Sequence, residues 1–303
     1  MVKGVLWDEP ELLAEAESLV ELLPDLIAKD EQLDIIGGAA GCIASLLNLY
    51  RCAPSQRTLR AAMQCGDRLI AHAKQMEHGI GWRAAGIGEK PLAGFSHGAA
   101  GIAWALLELS AVTDEERFRK VALEAIAYER SLFSVKLGNW PDLREFENTV
   151  LSESKGLVNL MTAWCHGAPG IGLGRLRSLP HLNNAEIRAE IDTALHTTLT
   201  QGFGLNHCLC HGDLGNLELL LQASLVLDDP KWRSAVNRFA AIILESINQY
   251  GWLCGVPLGV ETPGLMTGLA GIGYELLRLA EPTRIPSVLT LAPPTPFSKR
   301  SHV

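Results

Sequence analysis

Two short stretches decide how this chain folds: Trp164-Cys165-His166-Gly167-Ala168-Pro169-Gly170 and Leu209-Cys210-His211-Gly212-Asp213-Leu214-Gly215. Each sets a Cys-His pair in front of Gly-x-x-Gly, and the same glycine spacing recurs at Gly38/Gly41, Gly98/Gly101 and Gly268/Gly271. The second glycines of the five copies stand 60, 69, 45 and 56 residues apart, the scale of a helical-hairpin repeat with variable insertions. Each copy leads into apolar residues at helical spacing, as in Ile43, Leu46 and Leu47, or Ile102, Leu106 and Leu109, or Leu217, Leu220 and Leu221. Glycine-rich turns therefore open inner helices. Between them, stretches such as 116–133, 186–200 and 231–248 are amphipathic and suit an outer layer. No run of period-2 alternation bounded by hairpin turns occurs, so almost no sheet is expected. Hairpins stacked in this way form an open solenoid or a closed ring. Small residues at the helix starts allow the close approach of a narrow centre and favour closure, an all-α α/α toroid.

Residues 1–281 form the toroid domain in this reading, and prolines 282, 286, 293, 294 and 296 mark 282–303 as an extended tail with a loose end. Of the 303 residues, 48% are hydrophobic, 20% charged and 6% aromatic, a globular composition built on Leu, Ala and Ile. The formal net charge of −8 argues against a nucleic-acid surface, which needs clustered Lys and Arg, and suits a cationic peptide. No signal peptide and no apolar run of about 18 residues is present, so no membrane span and a cytoplasmic location are expected. The seven cysteines are odd in number and scattered, which argues for reduced thiols and metal ligands over a disulfide framework.

The residue before the first glycine of each copy is Gly37, His97, His166, His211 or Thr267, and Cys165 and Cys210 precede two of the histidines. Equivalent turns thus bring thiols and imidazoles to equivalent heights around one centre. Sulfur with imidazole nitrogen favours zinc. On spacing alone two arrangements stand open. A closed Cys2His2 site would use Cys165, His166, Cys210 and His211, although adjacent helical side chains diverge by about 100°. Three protein ligands with one open position would make a catalytic zinc. Cys208 has no support from the repeat register and reads as a buried free thiol. Cys42, Cys52, Cys65 and Cys254 read as small apolar fillers. Asp213 and Asn216 follow the second Cys-His pair and could orient His211.

Together with Phe95-Ser96-His97-Gly98-Ala99-Ala100-Gly101, Trp140-Pro141-Asp142-Leu143-Arg144 and Pro263-Gly264-Leu265-Met266-Thr267-Gly268-Leu269-Ala270-Gly271, these motifs resemble the cyclase region of type 2 bifunctional lanthionine synthetases over about 34–292. The resemblance implies an α/α toroid with Zn2+ held by Cys165, Cys210 and His211 and a fourth position open to a substrate cysteine. It implies that His97 acts as a proton carrier in the central cavity and that Asp34, which matches the family's Asp-x-x-x-Gly-x-x-Gly with Gly38 and Gly41, is a second catalytic residue. Stand-alone cyclases of the family place an Arg where this chain has Met161, so that role is vacant or falls to a residue such as Arg144. The implied activity is addition of peptide cysteine thiolates to dehydroalanine or dehydrobutyrine, forming thioether rings in a dehydrated precursor peptide. The dehydratase region and the first glycine-rich hairpin of such enzymes are not matched, so a separate dehydratase protein is an expected partner. Two other functions fit the motifs: a non-catalytic, zinc-stabilised module that binds peptides or a partner enzyme, and a transferase that adds glutathione or another small thiol to dehydrated residues.

Overall fold

The computed structural model describes residues 1–83, 89–144 and 160–294. Three short helices, α1 (Val2–Trp7), α2 (Pro10–Ser18) and α3 (Leu23–Ala28), lead in. Four hairpins follow: α4 (Ala39–Cys52) with α5 (Gln56–His72), α6 (Ala99–Thr113) with α7 (Glu116–Ser131), α8 (Ala168–Ser178) with α9 (Ala185–Gln201), and α10 (Asp213–Val226) with α11 (Pro230–Tyr250). A last inner helix, α12 (Leu269–Ala280), closes the series. Within the described residues the only strands are the two-residue pair Lys74–Gln75 and Ile80–Gly81. Each helix of a hairpin packs on its mate, and the even-numbered helices from α4 to α12 pack in sequence, α4 on α6, α6 on α8, α8 on α10, α10 on α12. The protein is an α/α toroid.

Burial separates the layers. Every residue of α6 from Ala99 to Leu109 is buried, as expected of a helix apolar on all sides and surrounded by others. On α11 only Trp232, Val236, Phe239 and Ile243 are buried, at spacings of four, three and four, the single stripe of an outer helix. Capping divides the layers the same way. Three of the four outer helices start on side chains that accept backbone N–H groups, with Ser55 accepting from Arg57, Asn184 from Ile187 and Asp229 from Lys231, while α7 starts on Glu115 without such a bond. Inner helices start on Gly38, Gly98, Gly167, Gly212 and Gly268 with no side-chain cap.

The glycine spacing has a steric cause. A Cβ on Gly41, Gly101, Gly170, Gly215 or Gly271 would overlap the carbonyl oxygen of Ile35, Phe95, Trp164, Leu209 or Leu265, in each case the residue six positions earlier. The turn folds back onto its own helix so tightly that only glycine fits. Hydrogen bonds then pass from turn to turn around the ring: Ile35 N–H donates to Ser96 O at 3.1 Å, Ser96 Oγ to Cys165 O at 3.1 Å, Cys165 N–H to Cys210 O at 3.2 Å, and Cys210 N–H to Met266 O at 2.9 Å. All five inner helices therefore begin at one end of the ring.

Seven residues beyond each second glycine, two turns into the helices, stand Asn48, Glu108, Arg177, Gln222 and Arg278. They form a polar layer across the interior. Glu108 accepts from Arg51 at 2.6 Å and contacts His181 at 3.1 Å, while Arg278 and Gln222 both donate to Glu218 at 2.8 Å. The stretch after α12, read from its prolines as an extended tail, is packed as far as it is described. Ser287, Leu289 and Thr290 are buried. Tyr274 Oη donates to Pro286 O at 2.7 Å, Trp164 Nε1 to Leu289 O at 3.1 Å and Asn48 Nδ2 to Leu291 O at 2.7 Å. The segment thereby ties α12 to α4 and to the turn before α8. Residues 295–303 lie outside the described part of the chain.

Candidate metal and acid-base site

The shared end of the inner helices collects the predicted side chains. Asp34 is buried, and its Oδ1 accepts the N–H groups of Ile36 and Gly37 at 2.9 Å each. That fixes its other oxygen, Oδ2, at 2.6 Å from His97 Nδ1. Asp34 is thus more than an acid in the first turn of its own helix: it reaches into the next repeat. The His97 ring stacks on that of His166, with centroids 5.9 Å apart. His166 is buried, with Asp142 Oδ1 at 4.0 Å from its Nδ1. Burial, reinforced by the Arg144 charge, pushes its pKa down to about 4, so the ring is neutral at pH 7.

The consecutive turns of Cys165 and Cys210 are joined by the backbone bond described above, and their thiols hydrogen-bond each other. The contact with the Cys210 sulfur, and then burial, push the Cys165 thiol up, whereas Cys210 is drawn down to about 5, first by the Cys165 thiol and then by His211, against the effect of burial. The His211 imidazole is raised to about 10 by its contacts with Cys208 and Cys210. Two sulfurs and an imidazole therefore meet in one chain of contacts. Among the described residues no group of three or more His, Cys, Asp or Glu is spaced to hold a metal ion; the three donors instead form a chain of contacts in which Cys210 lies between Cys165 and His211. As a donor set they fit zinc: two soft sulfurs, one already favouring the thiolate, and a nitrogen with borderline character.

Arg144 stands beside this group. Its guanidinium grips Asp142 with both arms, Nε to Oδ1 at 2.9 Å and Nη2 to Oδ2 at 2.6 Å, and Nη2 lies 3.4 Å from Met161 Sδ. Arg144 thus brings a cation beside position 161, and its field reaches both Cys165 and Cys210. Two expectations fail. Asp213 accepts from the backbone of Gly204 and Leu205, and Asn216 donates to Thr162 O and Gly202 O, so neither orients His211. Both brace the loop that precedes the turn. Cys208, set aside on repeat register, is the residue that meets the His211 ring. A groove of about 690 Å³ opens beside His211, walled by Leu205, Asn206 and 253–259, with Leu205 and Leu258 largely exposed on its rim.

A family model described as lanthionine synthetase C-like protein matches residues 2–290. The chain belongs to the lanthionine synthetase C-like family. It is 27% identical over 258 residues to the lacticin 481/lactococcin biosynthesis protein LcnDR2 of Lactococcus lactis subsp. lactis, covering 81% of this chain and 25% of that protein. To glutathione S-transferase LANCL1 of Danio rerio it is 26% identical over 200 residues, covering 63% of this chain and 44% of the relative. The chain thus spans a quarter and under half of these two proteins. Among solved structures, nisin cyclase superposes with a TM-score of 0.64 at 18% identity, over 86% of this chain and 67% of that one. A sugar epimerase from a ruminal bacterium gives a TM-score of 0.55 at 13% identity, over 80% and 68%. Likeness at these identities speaks for the toroid fold, and the family membership rests on the model match. No helix among the described residues is long and apolar enough to cross a membrane.

Proposed function

We propose that this member of the lanthionine synthetase C-like family is a zinc-dependent cyclase that closes thioether rings in a dehydrated precursor peptide. The observation that carries the reading is the meeting of Cys165, Cys210 and His211 at the end of the ring that also holds the Asp34–His97 pair. Cys165, Cys210 and His211 would hold the metal. Zinc bound there supplies the charge that keeps a substrate cysteine deprotonated at neutral pH. The thiolate sulfur then bonds the β-carbon of dehydroalanine or dehydrobutyrine, the π electrons pass to the α-carbon and carbonyl, and a proton must reach the α-carbon. Asp34 holds Nδ1 of His97 and leaves Nε2 to deliver that proton, the division of labour usual for an oriented imidazole. Arg144, fixed by Asp142, places a positive charge where negative charge develops on the carbonyl. The apolar rim of Leu205 and Leu258 suits the residues flanking the reacting cysteine.

The test joins metal and chemistry. Purified protein should carry one zinc with two sulfur ligands, and should close rings in a chemically dehydrated peptide, counted as thiols lost to alkylation since ring closure leaves the mass unchanged. Cys165→Ala and His211→Ala should lose both. Metal-free protein with undiminished ring closure would sink the proposal. A second reading, transfer of glutathione or a similar small thiol to dehydrated residues, is favoured by the zebrafish relative. Added glutathione would then appear as a mass adduct instead of leaving intramolecular rings unaffected.

A further inference from the structure

Cys208 opens the turn that carries Cys210 and His211, and it is completely buried. Its N–H donates to Asn206 Oδ1 at 3.0 Å, and its Sγ accepts the backbone N–H of His211 at 3.5 Å. The His211 imidazole lies beside the same sulfur. Gly255, from the loop after α11, makes the space: a Cβ there would overlap Cys208 Sγ and come within 2.8 Å of His211 Nε2. The nitrogen on the Cys208 side is therefore Nε2.

We propose that Cys208 is the positioning residue of the metal centre, accepting the Nε2 proton of His211 and so leaving Nδ1 as the nitrogen offered to the metal beside Cys210. A ligating histidine ordinarily donates its second ring N–H to a nearby acceptor, which fixes both tautomer and ring orientation. That acceptor is usually an oxygen. Among the described residues no carboxylate is placed in this role, and Asp213, the nearest in sequence, is committed to Gly204 and Leu205. Sulfur is a weaker acceptor, but this one is dry and held from both sides by the turn, and Gly255 admits nothing that would displace it. The inference rests on the zinc reading above and adds to it a residue outside the three ligands.

The experiment measures zinc affinity of the full chain by competition with a chromophoric chelator, sulfur count by X-ray absorption, and the His211 tautomer by nitrogen NMR of the zinc-loaded protein. Cys208→Ala should weaken zinc binding by about 10- to 100-fold while two sulfurs per zinc remain, and Cys208→Ser should recover most of the loss. Gly255→Ala should weaken binding in the same sense by pushing on both groups. The wild-type ring should be metallated at Nδ1 and protonated at Nε2, a measurement that stands even if a variant fails to fold. Unchanged affinity in Cys208→Ala, or metal at Nε2, would overturn the proposal while leaving the zinc reading intact. Three sulfurs in the wild type falling to two in Cys208→Ala would also overturn it, by making Cys208 a ligand. A wild type that takes up no zinc would end both readings.

Discussion

Arg175 of α8 is 1% exposed and lies 3.0 Å from Glu129 of α7, which is itself fully buried, and Glu129 Oε1 accepts the N–H of Gly94 at 2.9 Å. Gly94 begins the turn that ends in His97, so this pair links an outer helix, an inner helix and the candidate site. Arg175→Leu keeps the volume and removes the cation. Glu190, which also contacts Arg175, retains Arg130; among the described residues Glu129 has no second cation beside it. Breaking one side of a buried ion pair costs about 3–5 kcal/mol. With an unfolding entropy of roughly 2.1 cal/mol/K per residue, or about 0.6 kcal/mol/K for the chain, a loss near 4 kcal/mol lowers Tm by about 6 °C. The pH dependence gives the mechanism away. Burial already pushes the Glu129 carboxyl up, with Arg175 pulling it back, and the substitution removes the restraint. A carboxyl whose folded pKa lies above its unfolded value destabilises the fold fully above the folded pKa and not at all below the unfolded one. The defect of Arg175→Leu in urea titrations followed by circular dichroism should therefore shrink as pH falls from 7 towards about 4.5, the region of an ordinary Glu. Adding Glu129→Gln should recover part of it at pH 7. A loss under about 1 kcal/mol, equal at both pH values, would refute the claim that this buried charge needs its partner.

Glu108 carries the opposite sign: burial raises it, but the bonds from His181 and Arg51 outweigh burial and hold its pKa down to about 2. Its contribution is present above the ordinary Glu value and is lost as pH falls from about 4.5 towards 2, so the stability difference between wild type and Glu108→Gln, read by denaturant titration, should narrow across that window. Gly271→Ala would drive a Cβ into Leu265 O, whereas the same change at Gly273, two residues on, meets nothing within 4 Å. The first should cost at least ~3 kcal/mol as a strained backbone site, and the second should stabilise by ~0.5–1 kcal/mol as alanine in a helix, both measured by thermal melting. His97→Asn should slow ring closure by about 10²- to 10⁴-fold with zinc content unchanged, and Asp34→Asn should slow it in the same direction by freeing the His97 ring; loss of zinc in either variant would assign these residues to the metal instead.

The ring was legible because its determinant is local. Each second glycine must clear a carbonyl six residues earlier, and a steric demand of that kind repeats with the fold whatever else varies. The meeting of Cys165 with Cys210 followed from the same register once equivalent turns were set at one height, whereas Asp34 stands four residues before its first glycine and His97 one before its own, so their contact is not readable from spacing. Cys208 escaped because its neighbour Gly255 comes from another repeat, 47 residues on, and no spacing within the motif announces that contact. Asp213 and Asn216 misled for the converse reason. Closeness in sequence to His211 suggested contact, but a helix start at Asp213 turns their side chains back towards 202–205 and Thr162. The polar layer at Asn48, Glu108, Arg177, Gln222 and Arg278 keeps strict spacing without a common residue type, so neither hydropathy nor motif matching isolates it.

That layer and the site divide the inner helices between two tasks. Two turns into the helices, charges are paired across the ring and the interior is locked by Arg51, Glu108, Glu218 and Arg278. At the turns, the inner helices start on glycines that offer no side-chain cap, and their first N–H groups are met from the preceding turn or a neighbour instead: Ala99 N–H donates to Leu92 O at 3.0 Å, Ala168 N–H to Asn139 Oδ1 at 3.0 Å and Asp213 N–H to Asn206 O at 2.7 Å, while the positive ends of the helix dipoles lie at the site. Cys165 stands two residues before the cap of α8, and Cys210 two before that of α10. A capping Asp or Ser at these glycines would satisfy the N–H groups with its own oxygen, and its Cβ would overlap the preceding turn at Gly98, Gly167 and Gly212 alike. The same glycines that make the ring close-packed therefore set the positive ends of the inner-helix dipoles at the end that carries Cys165 and Cys210, which would favour the negative charge that the proposed chemistry develops there.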